Sequence, residues 1–239
     1  MTDDEWDTFL KTLSSRTPDV KLFMDGVEGF FASHPSLNFD GKSILHSIKK
    51  RMKDANHLRE KIDRKNSQAP RITPENLFGE VTDIAGVRLF LLFQSDFAVV
   101  DAAIRSRVSG GDWVLREPPI AFTWDPETRQ FFEKFDLKVE QRETKYTSVH
   151  YLLKPRKDSD VCCEVQVRTL FEEIWGEVDH MINYPTPTSI VACREQLMVL
   201  SKIVGAGSRL LDSIQRTLST HTVAVPTIEL ADSPDRVTL

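Results

Sequence analysis

The sequence predicts an α/β fold, a sheet covered by helices with further helices at both ends of the chain, and three observations carry that reading. The run Ala85-Gly86-Val87-Arg88-Leu89-Phe90-Leu91-Leu92-Phe93 is almost continuously apolar, as befits a central strand covered on both faces. The stretches Glu164-Val165-Gln166-Val167-Arg168 and Tyr146-Thr147-Ser148-Val149-His150 alternate at period two, so each collects its polar residues on one face. Apolar residues spaced three and four apart before residue 31 and after residue 189 predict amphipathic helices.

A chain of 239 residues with 40% hydrophobic composition buries one sizeable core. The expected organisation is a helical extension over 1–40, one sheet domain over 41–185, a C-terminal helix over 186–221 and a mobile tail over 222–239. In order, Phe9, Leu10, Leu13, Val20, Phe23, Met24 and Val27 suit two helical segments broken near Pro18. Residues 44–65 fit a helix throughout, while their first half also alternates like a strand, and Asp54 offers an N-cap that divides the two. A loop over 66–74 leads to the apolar strand, and a helix is expected over 95–108. Strands follow near 113–115, 137–140, 147–153 and 161–168, then helices over 170–182 and 189–220.

Composition excludes several classes. A net charge of −5 speaks against broad attraction to nucleic acid and confines any polyanion site to a local pocket. No stretch has eighteen uninterrupted apolar residues and the first residues lack a signal-peptide pattern, so a soluble, cytoplasmic protein without membrane contact is expected. Cys162, Cys163 and Cys193 suit neither a disulfide framework nor a zinc site, and the six histidines are scattered. A cation held by carboxylates stays open.

The polar stripes carry the chemistry. Glu164, Gln166 and Arg168 share one face, Tyr146, Ser148 and His150 another, and Arg88 lies on the face of Phe90 and Leu92. A solvated sheet face alternates in the same way, but three stripes among flanking helices leave little open sheet. Asp83 and Glu164, near strand ends with Arg, His and Lys around them, are what Mg²⁺-assisted phosphoryl or pyrophosphoryl transfer requires. Arg51 and Lys53 share a face if 44–53 is a strand, with Lys61 following on the capped helix, a cluster sized for a triphosphate. The interleaved Asp54, Glu60 and Asp63 also fit a solvated helix face, and spacing alone leaves both readings open.

The segments Asp83-Ile84-Ala85-Gly86-Val87-Arg88, Tyr146-Thr147-Ser148-Val149-His150 and Glu164-Val165-Gln166-Val167-Arg168-Thr169, with Arg51-Met52-Lys53, Lys61, Trp175, His180, Asn183 and Tyr184, stand in the order found in RelA/SpoT-type synthetase domains. From about Ile44 to Tyr184 the chain resembles a small alarmone synthetase lacking the hydrolase domain. The resemblance implies a mixed sheet of about five strands, nucleotidyltransferase-like, and transfer of the β,γ-pyrophosphate of ATP to the 3′-hydroxyl of GDP or GTP, making ppGpp or pppGpp. It implies that Arg51 and Arg88 sandwich adenine while Lys53 and Lys61 hold the phosphates. Asp83 and Glu164 would hold Mg²⁺, and Glu164 would also take the proton of the attacking hydroxyl. Tyr146 would stack on the acceptor base and His150 contact its phosphates, with Gln166 and Arg168 orienting the acceptor. His57, Asp179 and Glu173 depart from the family pattern. Glu173 stands where relatives carry an Asn or His against guanine, and a carboxylate there could accept from N1–H and the 2-amino group together. Trp175, among Leu170, Phe171, Ile174 and Val178, is expected in the core.

Two rivals remain at this stage. A toxin-like relative would pyrophosphorylate the 3′-CCA end of tRNA or an adenine nucleotide, and a silent nucleotide-binding module would do neither. Leu197, Leu200, Val204 and Leu211 are spaced to form one stripe of the last helix, which leaves open both a homo-oligomer through it and packing on its own domain.

Overall fold

The computed structural model of the protein describes residues 1–67, 71–142, 144–184 and 186–223. The expected tail over 222–239 falls almost wholly outside them.

Helix α1 (Asp3–Ser33) starts at a capping box in which Thr2 accepts from the Glu5 N–H and the Glu5 carboxylate accepts from the Thr2 N–H. It runs unbroken through Pro18, against the expected break. A mid-helix proline removes a donor at a cost of about 3 kcal/mol. The buried stripe continues across it, with Trp6 and Phe9 before and Val20, Met24, Val27 and Phe31 after, so burial on both sides outweighs the lost bond. A small hairpin of β1 (Asn38–Phe39) and β2 (Lys42–Ser43) turns at Asp40-Gly41, both at positive φ.

Strand β3 (Leu45–Met52) and helix α2 (Ala55–Asn66) are divided by Asp54, whose Oδ1 accepts from the Asn56 and His57 N–H groups. After a short α3 (Leu77–Glu80) comes β4 (Ala85–Leu91). A 3₁₀ turn over Gln94–Asp96 then opens α4 (Phe97–Ser109), slightly later than expected. The rest of the sheet is β5 (Val114–Leu115), β6 (Ile120–Thr123), β7 (Lys138–Gln141), β8 (Ser148–Lys154) and β9 (Cys163–Thr169), with α5 (Pro126–Phe132) between β6 and β7. Helices α6 (Leu170–Asn183) and α7 (Val191–Val223) follow.

The sheet has seven strands rather than about five, in the order β3-β4-β9-β8-β6-β7 with β5 added on β8. It is mixed: β4 pairs β9 and β6 pairs β7 in parallel, and the other pairings are antiparallel. One face, with Val87, Leu89, Val165 and Val167 at 2% exposure or less, forms the core with α1. The other carries the polar stripes, and α6 packs over part of it.

Trp175 is core, its Nε1–H donating to the Leu197 carbonyl and tying α6 to α7. Along α7, Leu197 and Val204 are buried against the chain's own fold, the helix being amphipathic towards α6. The exposed apolar residues are others, among them Val199, Ile203, Leu210 and Ile214. Among the described residues no helix is long and apolar enough to cross a membrane.

Candidate active site

The registers of β3, β4, β8 and β9 assemble the polar face. Arg88 lies opposite Gln166 on one side and Lys49 on the other, Gly86 lies between Arg51 and Glu164, and His150 lies opposite Gln166. Residues far apart in sequence thus share one face because their parities match across three strand pairs.

At one end, Asp83 sits just ahead of β4 between two lysines. Lys53, whose N–H bonds the Ile84 carbonyl, donates to Asp83 Oδ2 at 2.9 Å, and Lys61 from α2 donates to Oδ1 at 2.6 Å. Burial would raise the Asp83 carboxyl, but these two hydrogen bonds outweigh it and hold it at about 2. Further along, Glu164 Oε1 is 2.9 Å from His150 Nδ1, and Oε2 accepts from Gln166 Nε2 at 2.7 Å. Burial again pushes upward, the His150 contact prevails, and Glu164 lies below the usual carboxylate range even though Asp83 close by pushes it up. Both carboxylates are therefore ionised at neutral pH.

Tyr146 Oη is 3.1 Å from His150 Nε2, and burial raises its hydroxyl. The Arg168 guanidinium lies 5.6 Å from the Tyr146 ring centroid. Arg51, Arg88, Tyr146, Gln166, Arg168 and His180 contribute to the wall of a cavity of 460 Å³, completed by α6 and Tyr184. Tyr184 stacks on His180 with ring centroids 4.6 Å apart and donates its hydroxyl to Glu60 of α2, closing the cavity's rim.

The structure thus brings Lys53, Lys61 and Asp83 into one group and Tyr146, His150, Glu164, Gln166 and Arg168 into another; Arg51, Arg88, Tyr146, Gln166 and Arg168 line the cavity, and Lys53, Lys61, Asp83, His150 and Glu164 lie outside its wall. Glu173 lies elsewhere. It is 6% exposed and absent from the cavity wall, with Oε1 facing Lys49 and Arg88 and Oε2 facing Arg168. Its Oε2 is ion-paired with Arg168 but accepts no hydrogen bond among the described residues. Sequence reasoning missed Lys49 and Glu177, the latter an exposed partner of Arg88 at 3.5 Å. Lys49 was findable, being two residues from Arg51 and so on its face.

Among the described residues no three His, Cys, Asp or Glu side chains gather as a metal cage. Asp83 and Glu164 offer hard, ionised oxygens near lysines and arginines. Hard carboxylate oxygens of this kind fit a divalent cation that completes its shell with water and substrate phosphates.

The family profile described as "Region found in RelA / SpoT proteins" matches residues 50–189. The GTP pyrophosphokinase YjbM of Bacillus subtilis strain 168 is 24% identical over 189 residues, covering 77% of this chain and 75% of that protein. Among solved structures, a GTP pyrophosphokinase family protein from Streptococcus pneumoniae aligns with a TM-score of 0.63 at 19% identity, over 95% of this chain and all of that one. Small alarmone synthetase 1 from Bacillus subtilis, bound to its product pppGpp, aligns with a TM-score of 0.58 at 20% identity, over 92% of this chain and all of that one. These likenesses establish a shared fold.

Proposed function

The chain belongs to the RelA/SpoT family, and from that premise we propose that it is a pyrophosphokinase transferring the β,γ-pyrophosphate of ATP to the 3′-hydroxyl of GDP or GTP, so making ppGpp or pppGpp. The observation that carries the reading is the pair Asp83 and Glu164, two largely buried carboxylates near enough for Asp83 to act on the charge of Glu164, the first bonded to Lys53 and Lys61 and the second to His150 and Gln166. Burying two like charges near each other is costly unless they serve a cation or a proton transfer.

In this reading Arg51 and Arg88 hold the adenine between planar guanidinium groups, and Lys53 and Lys61 turn from Asp83 to the phosphates when ATP enters. Tyr146 stacks on the acceptor base, and His150 meets the acceptor's phosphates. Gln166 and Arg168 orient the acceptor, with Gln166 also fixing the Glu164 carboxylate. Glu164 accepts the proton of the 3′-hydroxyl, whose oxygen bonds to the β-phosphorus as the bond from that phosphorus to the α,β-bridging oxygen breaks and AMP departs. Asp83 and Glu164 would hold Mg²⁺, which would neutralise charge on the transferred phosphates.

Incubation of the protein with γ-labelled ATP and, in separate lanes, GDP, GTP, AMP, ATP or deacylated tRNA tests the proposal. Label is expected on the guanine nucleotides. Label confined to tRNA or to adenine nucleotides would overturn the acceptor assignment, and none in any lane would overturn the enzyme.

A further inference from the structure

We propose that Glu173 is a positioning residue, the shared buried counter-ion that holds one arginine of the ATP side and one of the acceptor side in a single arrangement and thereby ties the two nucleotide subsites together. The proposal rests on the function proposed above for its subsites, though not for its geometry.

Glu173 sits in the first turns of α6, with a side chain 8% exposed. Its Oε1 lies 3.4 Å from Lys49 Nζ and 3.5 Å from Arg88 Nη1, and its Oε2 lies 2.9 Å from Arg168 Nη2. One carboxylate thus neutralises cations from β3, β4 and β9, which without it would face one another. The cost of its loss is visible at Arg88, whose charged form is disfavoured first by burial, then by repulsion from Arg168 and Arg51, and is supported by Glu173. Arg168 is enclosed more tightly than Arg88, its side chain 4% exposed against 22%, and its guanidinium lies 5.9 Å from the Phe90 ring centroid. A Cβ at Gly176, one turn further along α6, would meet Arg168 Nη1 at 3.0 Å, so the helix lies directly on that guanidinium.

Both arginines held here line the cavity, whereas Glu173 and Lys49 do not. A displacement of Arg88 on ATP entry is felt by the carboxylate that also fixes Arg168, and through Arg168 by the ring of Tyr146. A residue in this place governs both nucleotides and leaves the choice between guanine and adenine to others.

The test measures binding of a nonhydrolysable ATP analogue, GDP and ADP by calorimetry, and thermal melting without nucleotide, for the unmodified protein, Glu173→Gln, Glu173→Asp, Lys49→Gln and the double variant Glu173→Gln/Lys49→Gln. Glu173→Gln is expected to lose about tenfold in affinity for both the ATP analogue and GDP, the scale of one displaced stacking guanidinium, with the GDP-to-ADP preference unchanged. Glu173→Asp, which keeps the charge, should retain most of the affinity. Removing Lys49 from the Glu173→Gln background should restore part of the lost affinity and of the lost melting temperature, because it takes one cation out of an unneutralised cluster. A fall in GDP-to-ADP preference with ATP binding intact would make Glu173 a base reader and overturn the proposal, as would unchanged affinities. If the unmodified protein binds neither nucleotide, the proposed function fails, and the melting cycle alone decides: coupling between Glu173 and Lys49 upholds the counter-ion, and strict additivity removes it.

Discussion

The two faces of β4 and β9 are built from alternate residues of the same strands, yet they are held in different ways. On one face Val87, Leu89, Val165 and Val167 are 2% exposed or less and meet apolar neighbours. On the other Gln166 and Arg168 are nearly as enclosed, at 9% and 5%, and each leans on a charged or amide partner. Burial alone therefore does not separate fold from chemistry. The apolar face is stabilised by area without direction, so it tolerates a change by degrees. The polar face is stable only while every charge keeps its partner, so removal of one group exposes the others to the full cost of burial. Substitutions on the apolar face should therefore act on stability with little effect on turnover, whereas those on the polar face act on turnover and, where a buried charge loses its partner, on stability as well.

The largest expected effect on turnover comes from Glu164→Gln and Asp83→Asn. Each keeps the side chain's shape and removes the charge, with an expected loss of about 10²–10⁴-fold in pyrophosphate transfer, the scale of a lost general base. Circular dichroism should report a folded protein in both cases. A folded Glu164→Gln that turns over like the unmodified enzyme would show that the ionised carboxylate is no part of the reaction.

Tyr146 gives an intermediate effect and separates its two contacts. Tyr146→Ala loses the ring, and base stacking worth about 1–3 kcal/mol predicts a loss of roughly ten- to a hundredfold in kcat/KM for the acceptor. Tyr146→Phe loses the hydroxyl's contacts, with His150 Nε2 and with Ser148, each worth about 1 kcal/mol, and should keep much of the activity. Steady-state kinetics with varied GDP checks the pair, and equal losses in both variants would assign the role to the hydroxyl.

What could be read from the sequence follows the same division. The buried strand β4 and the stripe on β9 were legible because strand geometry converts parity into face, and Asp54 was legible because a cap is a local device. Strand β6 escaped notice: Ile120–Thr123 follows two prolines, is buried on nearly every residue and shows no alternation. Pro18 misled because a local rule was overruled by the tertiary burial of α1 on both sides of it. The surroundings of Glu173 were hidden for the opposite reason. Its ion-pair partners Lys49, Arg88 and Arg168 come from three strands, and only the assembled sheet brings them to one carboxylate.

The smallest effect on turnover should come from the apolar face, and it is the sharpest test of the division. Val167→Ala removes two buried carbons and leaves a small void, a loss of about 2 kcal/mol in stability. Val167 alternates with Gln166 and Arg168, so its side chain points away from the network, and the carbonyl that accepts from Ser148 Oγ belongs to the backbone and survives the change. Turnover per folded molecule should then stay within about twofold of the unmodified enzyme, since additivity holds for sites that share no partners. Denaturant unfolding and label transfer on the same preparation supply both numbers. If turnover instead falls as steeply as in Glu164→Gln while the protein remains folded, a shift of the backbone by a fraction of an ångström has reached the polar face, and the two faces are one mechanical unit.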